Sequence, residues 1–109
     1  MAEIWLNDHE WTIRDRQVKM LGFEADYLAE DPNGEGYVVS VKWSVRGNRQ
    51  GLKRTDTLRK AIAEAWLCKE TYSLKFMVLT NHIPEDGVGR DAYQIALSSG
   101  LFDRVELIS

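Results

Sequence analysis

A chain of 109 residues, 44% hydrophobic and 28% charged, has the size and composition of one globular domain rather than of a disordered segment. Its single cysteine, Cys68, excludes an internal disulfide and any multi-cysteine zinc site, and no apolar stretch approaches the roughly 20 residues of a membrane helix. The net charge of −3 argues against a polyanionic partner only on average, because the basic residues are unevenly placed.

The first residues carry neither a basic leader nor an apolar signal core, and with one cysteine the expected setting is reducing and cytoplasmic. Residues 8–20 read as a helix, capped by Asn7 or Asp8, with Trp11, Val18 and Leu21 as an incomplete apolar stripe ended by Gly22. Residues 23–28 alternate like a strand, with Phe23, Ala25 and Tyr27 on one face and Glu24, Asp26 and Leu28 on the other. The turn signals at 31–36, centred on Asn33-Gly34, return the chain as a hairpin. In the second strand, residues 37–45, Val39, Val41, Trp43 and Val45 form an apolar face, and Ser40, Lys42 and Ser44 lie opposite.

A polar loop at 47–51 leads to a helix from Thr55-Asp56 to about residue 70, striped by Leu58, Ala61, Ile62, Ala65 and Trp66. Residues 74–80 form a nearly continuous apolar run, which suits a central strand covered on both faces. A helix at 90–99 with Ala92, Ile95 and Ala96 inward is stopped by Gly100, and a short strand closes the domain at 104–108. The predicted order is α-β-β-α-β-α-β: an α/β domain with a mixed sheet flanked by helices.

The hairpin carries the chemistry. It places Asp26 and Glu24 beside Ser40 and Lys42 on one face. A lysine at mid-strand on a partly buried face needs a partner, because an unpaired buried ammonium is costly. Two nearby carboxylates meet that need, and so does a divalent cation carrying a phosphate. An ordinary cross-strand ion pair between Asp26 and Lys42, worth about 0.2–1 kcal/mol, meets it as well. Seven of the fourteen basic residues (Lys42, Arg46, Arg49, Lys53, Arg54, Arg59 and Lys60) fall within 42–60 with only Asp56 to oppose them. Such a strip suits contact with a phosphate backbone, and equally a solvated helix face.

Asp26, thirteen intervening residues, and then Ser40-Val41-Lys42 resemble the motif of the PD-(D/E)XK nucleases. The resemblance implies a restriction-endonuclease-like core whose element order matches that predicted along almost the whole chain. Ala25 replaces the usual proline, and Ser40 replaces the acid before the lysine. Ser-x-Lys resembles a group of type II restriction endonucleases in which the missing carboxylate has migrated to the next helix and arginines after the lysine read bases. The resemblance implies a Mg²⁺-dependent deoxyribonuclease, with Mn²⁺ able to substitute. Asp26 would bind metal, Lys42 would stabilise charge or position water, Ser40 would line the site, and Glu64 or Glu24 would complete the metal shell.

Glu64 is preferred as the migrated acid because it sits at the boundary of the apolar stripe, whereas Asp56 suits a helix start. Glu10 is a further candidate carboxylate with a surface role as its alternative. Arg46 and Arg49 are the expected base readers; Lys53, Arg54 and Arg59 are expected on the DNA backbone. So small a domain implies a homodimer or a piece of a larger nuclease. The alternatives are a structure-specific repair or junction-resolving nuclease, and a DNA-binding module that kept the fold and lost the chemistry. His9, His82 and Cys68 are read as surface, loop and packing residues.

Overall fold

In the computed structural model, which describes residues 2–42 and 55–108, the chain opens with a short helix, α1 (Ala2–Asp8), that buries Ala2 and Leu6 one turn apart. It ends at Glu10, whose φ of 64° turns the backbone out of the helix, and Trp11 N donates back to Leu6 O at 2.9 Å. Residues 12–20 then form a strand, β1 (Thr12–Met20), and not the helix predicted over 8–20. Thr12, Ile13 and Val18 are β-branched, and Val18 and Met20, two apart, pack on the same core. Leu21, assigned to a helical stripe, is instead exposed in a two-residue turn with Gly22, whose φ is 90°.

That turn hands the chain to β2 (Phe23–Glu30), antiparallel to β1 from Thr12↔Glu30 to Met20↔Phe23. The Asn33-Gly34 turn follows, held by Asp31 Oδ1 accepting from Asn33 N and Glu35 N, and β3 (Gly36–Lys42) returns antiparallel to β2. The predicted residues 43–45 of this strand lie outside the described residues. Helix α2 (Thr55–Tyr72) crosses to β4 (Lys75–Thr80), parallel to β3, and α3 (Gly87–Ser98) crosses to β5 (Arg104–Leu107), parallel to β4. The five strands lie in chain order, and the predicted mixed sheet with flanking helices is the observed architecture with one further strand.

The sheet separates two apolar layers. On one side Val38, Phe76 and Val78 pack against Leu58, Ala61, Ala65 and Cys68 of α2 and Tyr93 and Ala96 of α3. On the other, Val39, Met77 and Leu79 pack against Leu6, Trp11 and Ile108. Each of the Val, Leu, Ile, Phe and Met side chains among these contributes about 1.5–3 kcal/mol on burial. β4 is buried from Phe76 to Thr80, as its unbroken apolar run predicts. Trp66 and Ile95, predicted to face inward, are exposed at 53% and 65%, because the buried stripe of each helix is narrower than its apolar content. Among the described residues no helix is long and apolar enough to cross a membrane.

The β1–β2 turn is fastened to α2: Leu21 N donates to Tyr72 Oη at 2.8 Å, and a Cβ on Gly22 would stand 3.1 Å from Leu67. Gly22→Ala is therefore expected to destabilise the domain by about 1–2 kcal/mol through backbone strain, plus the cost of displacing Leu67. Gly34→Ala, at a φ of 84° with open space around it, should lose only the strain. Urea unfolding midpoints measure both; equal losses would mean that Leu67 yields without cost.

Candidate active site

Alternation along β3 sends Tyr37 and Val39 to the α1 layer and Val38, Ser40 and Lys42 to the α2 side. Ser40 and Lys42 thus come to lie under α2, where Glu64 occupies the same helix face as Ala61, Ala65 and Cys68. One carboxylate oxygen takes both partners: Ser40 Oγ donates to Glu64 Oε1 at 2.9 Å, and Lys42 Nζ donates to the same atom at 2.7 Å. The lysine and glutamate side chains are 9% and 8% exposed. A pair so buried loses most of its Coulombic gain to desolvation, so its presence is weak grounds for a purely stabilising role.

Asp26 reaches the same place from β2. Backbone pairing between β2 and β3 stops at Tyr27↔Val39, and beyond it Asp26 Oδ2 accepts from Val41 N at 2.7 Å, between Ser40 and Lys42. The predicted strict alternation of β2 breaks here: Phe23, Ala25 and Leu28 pack with the α2 layer, and Tyr27 and Ala29 with the α1 layer. Across on β1, Gln17 lies between the pairs Arg16↔Tyr27 and Val18↔Ala25 with a φ of 51°. A left-handed non-glycine residue costs about 1–2 kcal/mol, and this local irregularity adjoins the site. Burial raises the Asp26 pKa most, Val41 N–H and Lys42 oppose it, and Glu64 and Glu24 raise it further.

These groups line an open cleft of about 520 Å³ bounded by Gly22, Phe23, Glu24, Asp26, Val41, Lys42, Lys60, Ala63, Glu64 and Leu67. Its rim holds exposed Glu24 from β2 and exposed Lys60, one helical turn before Glu64. Behind Lys42, Thr80 Oγ1 lies 3.0 Å from Lys42 O and 3.1 Å from His82 O, tying the end of β3 to the end of β4.

The structure therefore brings together Asp26, Ser40, Lys42 and Glu64, with Glu24 at the rim. Asp56, the competing acid, is exposed in the first turn of α2 away from the cleft, and Glu10 is exposed in the turn after α1. Arg59 is exposed on α2, whereas Arg46, Arg49, Lys53 and Arg54 lie outside the described residues. His9 stacks on Trp5 at 4.0 Å between ring centroids, and Cys68 is buried in the helix–sheet core. Lys60 was visible in the sequence only as part of a basic strip; its four-residue spacing from Glu64 is the signal that places it in the cleft. Thr80 gave no sequence signal beyond its position at the end of an apolar strand.

No family model matches this chain, and no curated protein matches it. Among solved structures it is similar to a chain in a complex of EndoMS with dsDNA, with a TM-score of 0.64 and 15% sequence identity. The match covers 100% of this chain and 43% of that one. At this identity the likeness is one of fold.

The shared oxygen makes a stability prediction. Glu64→Leu strands the Lys42 ammonium and should cost about 3–5 kcal/mol, whereas the double variant Lys42→Met/Glu64→Leu should recover most of that loss. Chemical denaturation of the two variants decides it. If the double variant is no more stable than the single one, the pair is not the unit that burial has coupled.

Proposed function

We propose that this chain is a nuclease domain of the PD-(D/E)XK type that hydrolyses DNA phosphodiesters with Mg²⁺, Mn²⁺ being a substitute. The observation that carries this reading is the convergence of Asp26, Lys42 and Glu64, from β2, β3 and α2, on one solvent-open cleft. Glu64 stands in this reading for the acid that Ser40 displaces from the motif, and Ser40 keeps hold of it by a hydrogen bond.

The donor set suits a hard cation. Asp26 and Glu64 offer carboxylate oxygens: among the described residues Glu64 Oε1 takes both hydrogen bonds, and Asp26 is held through Oδ2. No three His, Cys, Asp or Glu side chains gather as a metal cluster among the described residues. Mg²⁺ is held by one or two carboxylates and keeps several waters, and Asp26 and Glu64 can supply that many. When bound, the cation supplies Lewis-acid polarisation of a phosphodiester and a lower pKa for an attacking water.

The chain's own residues do the rest. Val41 N–H fixes the Asp26 carboxylate, and Ser40 fixes that of Glu64. Lys42, buried beside both acids, is placed to neutralise charge developing on the phosphoryl oxygens, where a preorganised donor is worth most. Lys60 at the rim and the predicted strip of Lys53, Arg54 and Arg59 supply backbone contacts, with Arg46 or Arg49 as base readers. A second copy or a larger parent protein would complete the grip on the duplex.

One observation favours a non-catalytic DNA-binding module instead: Lys42, Ser40 and Glu64 already satisfy one another. Cleavage of plasmid, single-stranded and branched DNA in Mg²⁺ or Mn²⁺, with EDTA as control, separates the two readings. Lys42→Ala should lower the rate about 100- to 1,000-fold in a folded protein. Asp26→Asn and Glu64→Gln should do so at least as severely, and Asp56→Asn should not. Cleavage at the wild-type rate by Glu64→Gln would remove the migrated acid from the mechanism.

Backbone contact makes a separate prediction. In Ca²⁺, used to permit binding without cleavage, log affinity should fall linearly with log salt, by about 0.9 per neutralised phosphate. Lys60→Ala, Lys53→Ala and Arg54→Ala should each weaken binding to every duplex alike and make the slope shallower by about one unit. An affinity independent of salt would exclude the nucleic-acid reading.

A further inference from the structure

A second concavity adjoins the cleft. It is a groove of about 470 Å³ between α2 and the segment after α3, lined by Arg59, Ile62, Ala63, Trp66, Leu67 and Leu101. Ala63 and Leu67 line both it and the acidic cleft, so the two are neighbours divided by one ridge of α2. Trp66 is 53% exposed beside it, although nothing in the packing of α2 requires a large aromatic ring in water.

We propose that this groove receives an unpaired nucleobase of the same DNA whose phosphate enters the cleft, which would make the enzyme selective for DNA with an unstacked nucleotide beside the scissile bond. The proposal rests on the nuclease reading above and adds its substrate class. Three features select this occupant. The lining combines one indole face with aliphatic side chains, which bind a base of any identity by stacking. Its one charged member is Arg59, which makes no ion pair with the described residues, and no carboxylate shares the groove. A guanidinium beside an open apolar face suits a ligand that is flat and apolar with an anionic edge. The groove also continues directly from the cleft, so a nucleotide with its phosphate near Lys60 has its base on the Trp66 side of the Leu67 ridge.

The test uses the full chain in Ca²⁺ with three fluorescent duplexes: fully paired, with one unpaired nucleotide, and with an abasic site in place of that nucleotide. The unpaired base should bind tighter than the abasic control by roughly 5- to 100-fold, the range of one base–aromatic stack. Trp66→Ala should reduce that ratio to about one, and Trp66→Phe should retain most of it; thermal unfolding confirms that both variants fold. Equal affinity for the base and abasic duplexes, or a ratio unchanged in Trp66→Ala, overturns the base pocket while leaving the nuclease reading in place. A change of self-association in Trp66→Ala with the ratio intact also overturns it and gives the groove to a second copy. Failure to bind any of the three duplexes defeats the nuclease reading itself.

Discussion

One carboxylate oxygen holds the site together. Glu64 Oε1 accepts from Ser40 and from Lys42, and by doing so it joins the middle of α2 to the end of β3. An ammonium at that depth without a partner would force its own neutralisation or distort the strand. The helix must therefore present an acid at that turn, and the small side chains of Ala61 and Ala65 allow it to come close enough to the sheet. The pair adds little net stability for its burial, since apolar residues of similar volume would serve as well. What an apolar replacement could not supply is a charged, positioned group facing the cleft.

Asp26 depends on that arrangement and completes it. Its carboxylate replaces a ladder contact at the point where β2 and β3 part, so the gap between the strands becomes the mouth of the cleft. Val41 and Lys42 of β3 line it, and Thr80 ties the carboxyl end of β3 to that of its parallel neighbour β4. Ligand sites of α/β sheets lie at the carboxyl ends of strands for the same reason: chains leave there toward helices and open a crevice. The likeness to the chain in the EndoMS–dsDNA complex is one of fold, and the chemistry proposed for the cleft rests on these side chains.

Much of this was legible in the sequence, for reasons that differ by residue. The Asn33-Gly34 turn and the apolar run of β4 are strong local signals, and they placed the hairpin and the central strand correctly. That Glu64 and not Asp56 faces the sheet was legible because an acid at the edge of an apolar stripe can turn inward, whereas one in the first helical turn complements the helix dipole. Residues 12–20 misled because β1 is an edge strand. Arg14, Arg16 and Lys19 guard its exposed surface, which leaves too few apolar positions to show a period of two. The break in β2 alternation at Asp26 was invisible, since the irregular residue across from it, Gln17 with a φ of 51°, lies on β1 and not in the strand itself. Trp66 was misread as core because stripe counting rewards apolar residues wherever they border the buried face.

The central claim is that Asp26 and Glu64 together hold a divalent cation, and Mn²⁺ binding followed by electron paramagnetic resonance tests it most directly. The account predicts that the intact chain immobilises Mn²⁺, that Mg²⁺ competes for the site, and that Asp26→Asn and Glu64→Gln each abolish the binding. Mn²⁺ bound equally well by the intact chain and both variants, or by none of them, would contradict it and leave the two acids as a structural network around Lys42.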